Sequence, residues 1–274
     1  RGLLNELGTW CGAHGLMTKA YLFSDDNVLP LYGSQARSSL EEAGIPTMDF
    51  AITAGETSKN LRQAMDCYHW LAESRAERKD FLLALGGGVV GDLGGFIAGT
   101  FNRGMPFVQI PTTLIGMVDA SIGGKVAVDL PHGKNLVGLF YQPRFVLADV
   151  ETLMTLPKRE MASGWAEAIK HGFIVDTGLL DMFESEAMAI QRLEDPIVSN
   201  VIRRSMAIKA EIVSQDEYET LGFRSLLNYG HTIGHALEAA SGYKKLLHGE
   251  AIAVGMAAAA RISHGMGFIR HEVV

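Results

Sequence analysis

The spacing of apolar positions changes character near the middle of the chain. In the first part, short apolar runs alternate with longer stretches of helical period. Residues 19–23, 47–52, 81–85, 107–110 and 145–149 are brief apolar runs, so each is expected to be a strand. Residues 32–43 have helical spacing and stop at Gly44, and residues 60–77 are amphipathic and free of proline. Residues 91–99 predict a close-packed, glycine-rich helix. This alternation predicts an α/β unit built on a mostly parallel sheet.

From residue 158 onward strand signal is scarce. Residues 160–171, 178–189, 197–213, 231–240 and 250–263 predict helices, in a region crowded with alanine and methionine. Pro157 gives a natural break within 153–158. The expected organisation is an α/β domain over 1–155 followed by a helical domain over 156–274. No fixed-period repeat is visible, which argues against a solenoid.

Composition narrows the class. The chain has 274 residues, 47% of them hydrophobic, too many for a chain that cannot collapse. Its net charge of −7 argues against a general nucleic-acid surface. Cys11 and Cys67 form no CxxC unit, which fits a reducing compartment. No secretory signal is read at the N-terminus. The longest uncharged apolar stretch, 251–260, ends at Arg261 and predicts a buried helix rather than a membrane span. A soluble, cytoplasmic protein is expected. The chain starts at Arg1 rather than at a methionine, so a fragment of a longer protein is also expected.

Three clusters carry candidate chemistry. Gly86, Gly88 and Gly91 have the spacing G-x-G-x-x-G directly after a predicted strand, where backbone amides at a helix start can cradle a pyrophosphate. A tight turn with close helix packing reads equally well. The acidic residue that the ordinary dinucleotide fingerprint wants about twenty positions on is missing, because the next strand leads into Pro111, Thr112 and Thr113. Asp92 reads as a cofactor acceptor or as a polar anchor. Asp25, Asn27, Glu56 and Lys59 follow predicted strands, where open α/β sheets bind ligands; Glu56 and Lys59 suit a ribose hydroxyl and a phosphate, or the capping and solvation of the next helix. The second cluster is a polar loop from Asp119 to Asn135. Lys125, Lys134 and Asn135 suit a small anion there, and Arg103 could join them. A P-loop is excluded, since Val126 follows Lys125. In the third cluster, Glu167 and Lys170 share a helix face, His231 and His235 stand four apart, and His248 follows. Two histidines and a carboxylate are a common catalytic zinc set. Spacing does not decide which two histidines ligate, and the pair His231 and His235 is the obvious guess.

Several of these runs together resemble the 3-dehydroquinate synthase family. They are GGGVVGDLGG (86–95), PTTLIGMVDASIGGK (111–125), HGKN (132–135) leading to FYQP (140–143), AEAIKHG (166–172), RSLLNYGHTIGH (224–235) and HGE (248–250). The resemblance implies an NAD-binding α/β domain followed by a helical metal-binding domain. It implies zinc or cobalt on Glu167, His231 and His248, with His235 moved to the substrate and proton-transfer set. NAD is implied at Asp25, Asn27, Glu56, Lys59, Gly87, Gly88, Asp92, Thr112 and Thr113, with Lys134 and Thr155 added. Substrate positions are implied at Asp119, Lys125, Asn135, Lys170, Lys209, Arg224, Asn228 and His235, and at Arg103 across a homodimer interface. Lys125, Lys170, Arg224, Asn228 and His235 form the implied catalytic set.

The implied reaction belongs to the shikimate pathway of aromatic amino acid biosynthesis. It turns 3-deoxy-D-arabino-heptulosonate 7-phosphate into 3-dehydroquinate and phosphate. It proceeds by transient oxidation by NAD, phosphate elimination, re-reduction, ring opening and aldol closure. Family chains are expected to begin before Arg1 and to continue past Val274. The spacing from Lys209 to Arg224 is one residue longer than the family's commonest. A sister sugar-phosphate cyclase that makes a valiolone or a deoxyinosose is the nearest alternative. A metal-dependent polyol dehydrogenase and a non-catalytic cofactor-binding protein stand further off.

Overall fold

A computed structural model describes residues 1–242 and 245–274. The chain divides into two compact units, Arg1–Thr155 and Leu156–Val274.

The first unit begins with a 3₁₀ turn that runs into α1 (Leu7–Ala13). There follow β1 (Ala20–Asp25), α2 (Leu29–Glu42), β2 (Thr47–Ile52), α3 (Leu61–Glu73), β3 (Phe81–Gly86), α4 (Gly88–Thr100) and β4 (Phe107–Pro111). The four strands form one parallel sheet in the order β2-β1-β3-β4. Alternation along β1 sends Tyr21 and Phe23 to one face and Ala20 and Leu22 to the other. The first face packs on Leu71 of α3 and Leu93 and Ile97 of α4. The second packs on Leu7 of α1 and Leu40 of α2. Covered on both sides, β3 is buried along its whole length.

The structure corrects several expectations. Residues 145–149 are not a strand; they make one isolated bridge, Val146 to Gln109. The Asp149 carboxylate bends the chain away by accepting the amides of Gly2, Leu4 and Glu151. The polar loop expected over 119–135 is in large part a hairpin. A π-helical turn, Gly116–Ala120, leads to antiparallel strands β5 (Lys125–Leu130) and β6 (Gly133–Phe140). Val126 and Val128 of β5 are buried in the same core as α4. A Cβ on Gly95 of α4 would lie 2.3 Å from Val126, so the glycine admits the hairpin. The helix expected to reach residue 77 stops at Glu73, because Arg75 takes a left-handed φ of 56° and Ala76 N bonds back to Leu71 O. The helix α1 has no counterpart in the sequence reading.

The second unit contains α5 (Lys158–Ile174), α6 (Thr177–Ser185), α7 (Ala187–Gln191), α8 (Ile197–Gln215), α9 (His231–Ala240) and α10 (His248–Gly265). The single helix expected over 178–189 is two, broken at Glu186, whose ψ of 17° is not helical. Glycines let α9 and α10 approach to backbone contact. A Cβ on Gly255 of α10 would lie 2.0 Å from Gly230 O, and one on Gly234 of α9 would lie 2.6 Å from Ile252 Cδ1. Among the described residues no helix is long and apolar enough to cross a membrane.

The same helix supplies a paired test of this packing. Gly255→Ala forces a Cβ into a carbonyl that cannot yield, and should destabilise by roughly 1–3 kcal/mol. Gly265→Ala meets nothing within 4 Å and gains helix propensity. Thermal unfolding should show Tm falling for the first and holding or rising for the second. Equal Tm values would contradict the close α9–α10 contact.

Candidate active site

In the first unit the residues of interest gather at the carboxyl ends of the strands. From β1 the chain passes to β2 on one side, while β3 lies on the other, so the order reverses beside β1. Open α/β sheets bind ligands at such reversals. Asp25 ends β1; its Oδ1 accepts the amides of Asn27 and Val28. These bonds close a turn ahead of α2, whose own start has no side-chain cap, and burial pushes the Asp25 carboxyl above the ordinary value despite them.

The three spaced glycines have different reasons. A Cβ on Gly86 would lie 2.7 Å from Val90, and one on Gly91 would lie 2.6 Å from Gln109 Oε1, so both serve packing. A Cβ on Gly88 would meet only Ala120, at an ordinary 3.6 Å. The fold does not demand glycine there, and it leaves clear the start of α4, which has no side-chain cap. Unsatisfied amides at an open helix start fit a pyrophosphate. A Cβ on Gly87 would lie 3.0 Å from the methyl of Thr113, the tight approach that sets this turn. Buried Thr112 donates its amide to Gly86 O, and Thr113 Oγ1 accepts Gly116 N.

Past β2 stands a charged network. Lys59 is almost wholly buried, and its Nζ donates to Asp92 Oδ2 at 2.6 Å and Asn135 Oδ1 at 2.5 Å. Glu56 lies 3.9 Å from Lys59 and 3.3 Å from Lys134. Five of the predicted positions, Glu56, Lys59, Asp92, Lys134 and Asn135, thus form one cluster. Burial opposes the Lys59 charge, but Asp92, Glu56 and Asp129 outweigh it and raise its pKa. Burial also lifts Asp92 to about 6 against the pull of Lys59, helped by the charges of Glu56 and Asp119.

Lys125 and Asn135 line a 320 Å³ pocket on the hairpin, with Phe140. Thr155 Oγ1 is 2.6 Å from Tyr32 OH. Arg103 stands exposed on a turn after α4 with φ of 63°, and among the described residues no contact joins it to the strand-end cluster.

In the second unit, three donor atoms converge. Glu167 of α5 is fully buried. Its Oε1 lies 3.5 Å from His248 Nε2 and 3.8 Å from His231 Nε2. Its Oε2 takes a short hydrogen bond from Lys170, itself 1% exposed. His231 Nδ1 is 3.2 Å from Tyr229 O, and His248 Nδ1 is 3.3 Å from Glu238 Oε2. In the tautomer that donates Nδ1–H to these acceptors, each Nε2 is left as an acceptor on the side of Glu167. Burial first, and Lys170 next, lower the His231 pKa against the pull of Glu167. Ligands held at about 2.1 Å on a tetrahedral ion stand roughly 3.4 Å apart. The observed spacing fits a divalent metal. A second group, His235, Glu238 and His248, also meets the spacing, but it includes an exposed histidine. Glu238 and Tyr229 O were not singled out by sequence; the one signal for Glu238 is its place one turn beyond His235.

Lys209 is buried on α8. Arg224 is buried as well, donating to Glu217 O at 2.8 Å and lying 3.8 Å from Glu219. Asn228 and His235 are exposed, with the His235 ring 5.2 Å from that of His231.

The family profile "3-dehydroquinate synthase N-terminal" matches residues 49–163, and "3-dehydroquinate synthase C-terminal" matches residues 164–274. The 3-dehydroquinate synthase of Symbiobacterium thermophilum is 50% identical, over 97% of this chain and 74% of its own. Among solved structures, 2-epi-5-epi-valiolone synthase of Streptomyces hygroscopicus, with NAD+ and Zn2+ bound, superposes with a TM-score of 0.89 at 30% identity. The match covers 97% of this chain and 74% of that one. A 2-deoxy-scyllo-inosose synthase complexed with carbaglucose-6-phosphate, NAD+ and Co2+ gives 0.87 at 29% identity, covering 97% and 72%.

The raised Asp92 carboxyl sets a pH dependence. Its folded pKa lies above the unfolded value of 3.8, so its contribution to stability is full below that value and is lost as pH rises through about 6. Titration followed at the Asp92 Cγ by NMR should give a midpoint near 6. Asp92→Asn should remove the corresponding fall in stability between the two values. A midpoint in the ordinary carboxylate range would contradict the burial of this group.

Proposed function

The chain belongs to the 3-dehydroquinate synthase family, and on that premise we propose that it is an NAD- and metal-dependent lyase acting on 3-deoxy-D-arabino-heptulosonate 7-phosphate. The products are 3-dehydroquinate and inorganic phosphate. The observation that carries this reading is the convergence of Glu167 Oε1, His231 Nε2 and His248 Nε2 with both Nδ1 atoms already engaged. Identity of 50% to a 3-dehydroquinate synthase, against about 30% to the valiolone and inosose cyclases, favours this substrate over theirs.

Glu167, His231 and His248 would hold the metal, zinc or cobalt, and three protein ligands leave one position open. When bound, the ion supplies a Lewis acid that stabilises negative charge on a substrate oxygen. Lys170 orients Glu167 by holding its Oε2, and so directs Oε1 at the histidines. Lys170 and Arg224 offer buried cations for the carboxylate and hydroxyl end of the substrate, with Lys209 a further buried cation of the site, and Asn228 offers a directional donor. His235, exposed beside His231, is available to move a proton at its imidazole.

In the first unit, Gly87 and Gly88 would receive the NAD pyrophosphate at the start of α4. Asp25, Asn27, Glu56, Lys59, Asp92, Thr112, Thr113, Lys134 and Thr155 would complete that site. When bound, NAD takes up a hydride and returns it. Lys125, Asn135 and Arg103 would bind the phosphate, with Arg103 serving a second copy in a homodimer, and Asp119 would serve a hydroxyl. A cation on the phosphate oxygens stabilises the leaving anion. Cys11 and Cys67 are buried thiols, Cys11 pushed up to about 12 by burial, and the cytoplasm suits them.

The test is phosphate release with zinc and NAD supplied, from the heptulosonate phosphate and, beside it, from sedoheptulose 7-phosphate. Release from the first substrate alone is expected. Preference for the second would replace this reading with that of a sister cyclase. Lys125→Ala should lower kcat/KM by about a hundredfold through loss of a charged donor, and a value within about twofold of the parent would remove Lys125 from the site.

A further inference from the structure

We propose that Arg159, Ser163 and Glu250 are positioning residues that set His248 against Glu167, an inference that rests on the metal set proposed above. Arg159, Ser163 and Glu167 stand four residues apart along α5 and share one face. The first turn of α10 engages them in order. The Arg159 guanidinium grips the Glu250 carboxylate with two parallel bonds, Nε to Oε1 and Nη2 to Oε2, each 2.6 Å. Ser163 Oγ accepts the amide of Gly249 at 2.9 Å. His248 Nε2 then meets Glu167 Oε1 at 3.5 Å.

The chain on either side of His248 is tied as well. Glu250 Oε2 accepts the amide of Leu247 at 2.8 Å, and Arg159 Nη2 reaches Lys245 O at 2.6 Å. Gly249 carries no side chain where a Cβ would stand 1.9 Å from Ser163 O, so α10 starts directly against the α5 backbone. A slide of α10 along α5 would have to break the Arg159 fork and the Gly249 bond before it moved His248. Functional groups need placement within about 0.5 Å, and a bidentate fork supplies direction that a single point charge does not.

Magnitude separates this role from plain stabilisation. Arg159 is 56% exposed, and an exposed ion pair adds little to stability. Partners that orient a metal ligand, by contrast, change metal affinity by about tenfold to a hundredfold when removed. The consequence of losing Arg159 is therefore expected in the metal site and not in Tm.

The experiment is Co2+ titration of the full chain against a competing chelator, with the visible d–d absorption recorded and the metal-free Tm measured beside it. Arg159→Ala and Glu250→Gln should weaken Co2+ binding by about tenfold to a hundredfold and alter the d–d bands, with little change in metal-free Tm. Ser163→Ala should act in the same direction, and Arg159→Lys should recover part of the loss. Arg204→Ala breaks another forked pair of the same unit, that with Asp176, and should leave the affinity for Co2+ unchanged. Parent affinity and parent spectrum in Arg159→Ala and Glu250→Gln would overturn the inference, as would an equal loss in Arg204→Ala. His248→Ala distinguishes the two levels. If it binds Co2+ like the parent, the metal set itself is wrong; if it loses Co2+ while Arg159→Ala does not, only the positioning role falls.

Discussion

The second unit depends on one steric constraint, the approach of α5, α9 and α10 to backbone contact. Gly249 lets α10 begin against Ser163 O, and Gly230, Gly234 and Gly255 let α9 lie against α10. His231 and His248 are the first residues of their helices, and Glu167 lies one turn beyond Ser163 on α5. The glycines thus do more than permit packing. They bring two helix starts and one helix face close enough for Oε1 and two Nε2 atoms to share a single ion. A methyl group on Gly249 or Gly255 pushes backbone from backbone, and the donor atoms move with it.

Each unit also buries a lysine against a carboxylate, Lys59 with Asp92 and Lys170 with Glu167. Desolvation makes such pairs a poor source of stability, so their presence is better explained by placement of charge. Lys59 ties Asp92 to Asn135 and so joins the start of α4 to the hairpin. Lys170 occupies one oxygen of Glu167 and leaves the other facing the histidines. In both, an ammonium held at fixed distance orders an anionic group.

The four strands of the parallel sheet and the main helices were legible in the sequence because their apolar periods are strong. The hairpin was not, since the lysines and glycines of 119–135 masked the alternation of Val126 and Val128. The run at 145–149 misled because Asp149 spends its carboxylate on three distant and local amides, which pattern alone cannot reveal. Spacing exposed His231, His235, His248 and Glu167 but favoured the pair four apart. His248 belongs with His231 and Glu167 through the crossing of three helices, and only the family resemblance carried that information. Tyr229 O is invisible to side-chain reading, and Arg159 meets Glu250 across 91 residues. Arg103 matched the resemblance, yet its place within one copy of the chain reveals no partner in the strand-end cluster.

The central claim is that Glu167, His231 and His248 form the metal site. Crystals of the zinc-loaded protein, measured at the zinc absorption edge, test it most directly. The account predicts one anomalous peak about 2.1 Å from Glu167 Oε1, His231 Nε2 and His248 Nε2, with Lys170 still on Glu167 Oε2 and His235 unligated. A peak held by His235, Glu238 and His248 would contradict it.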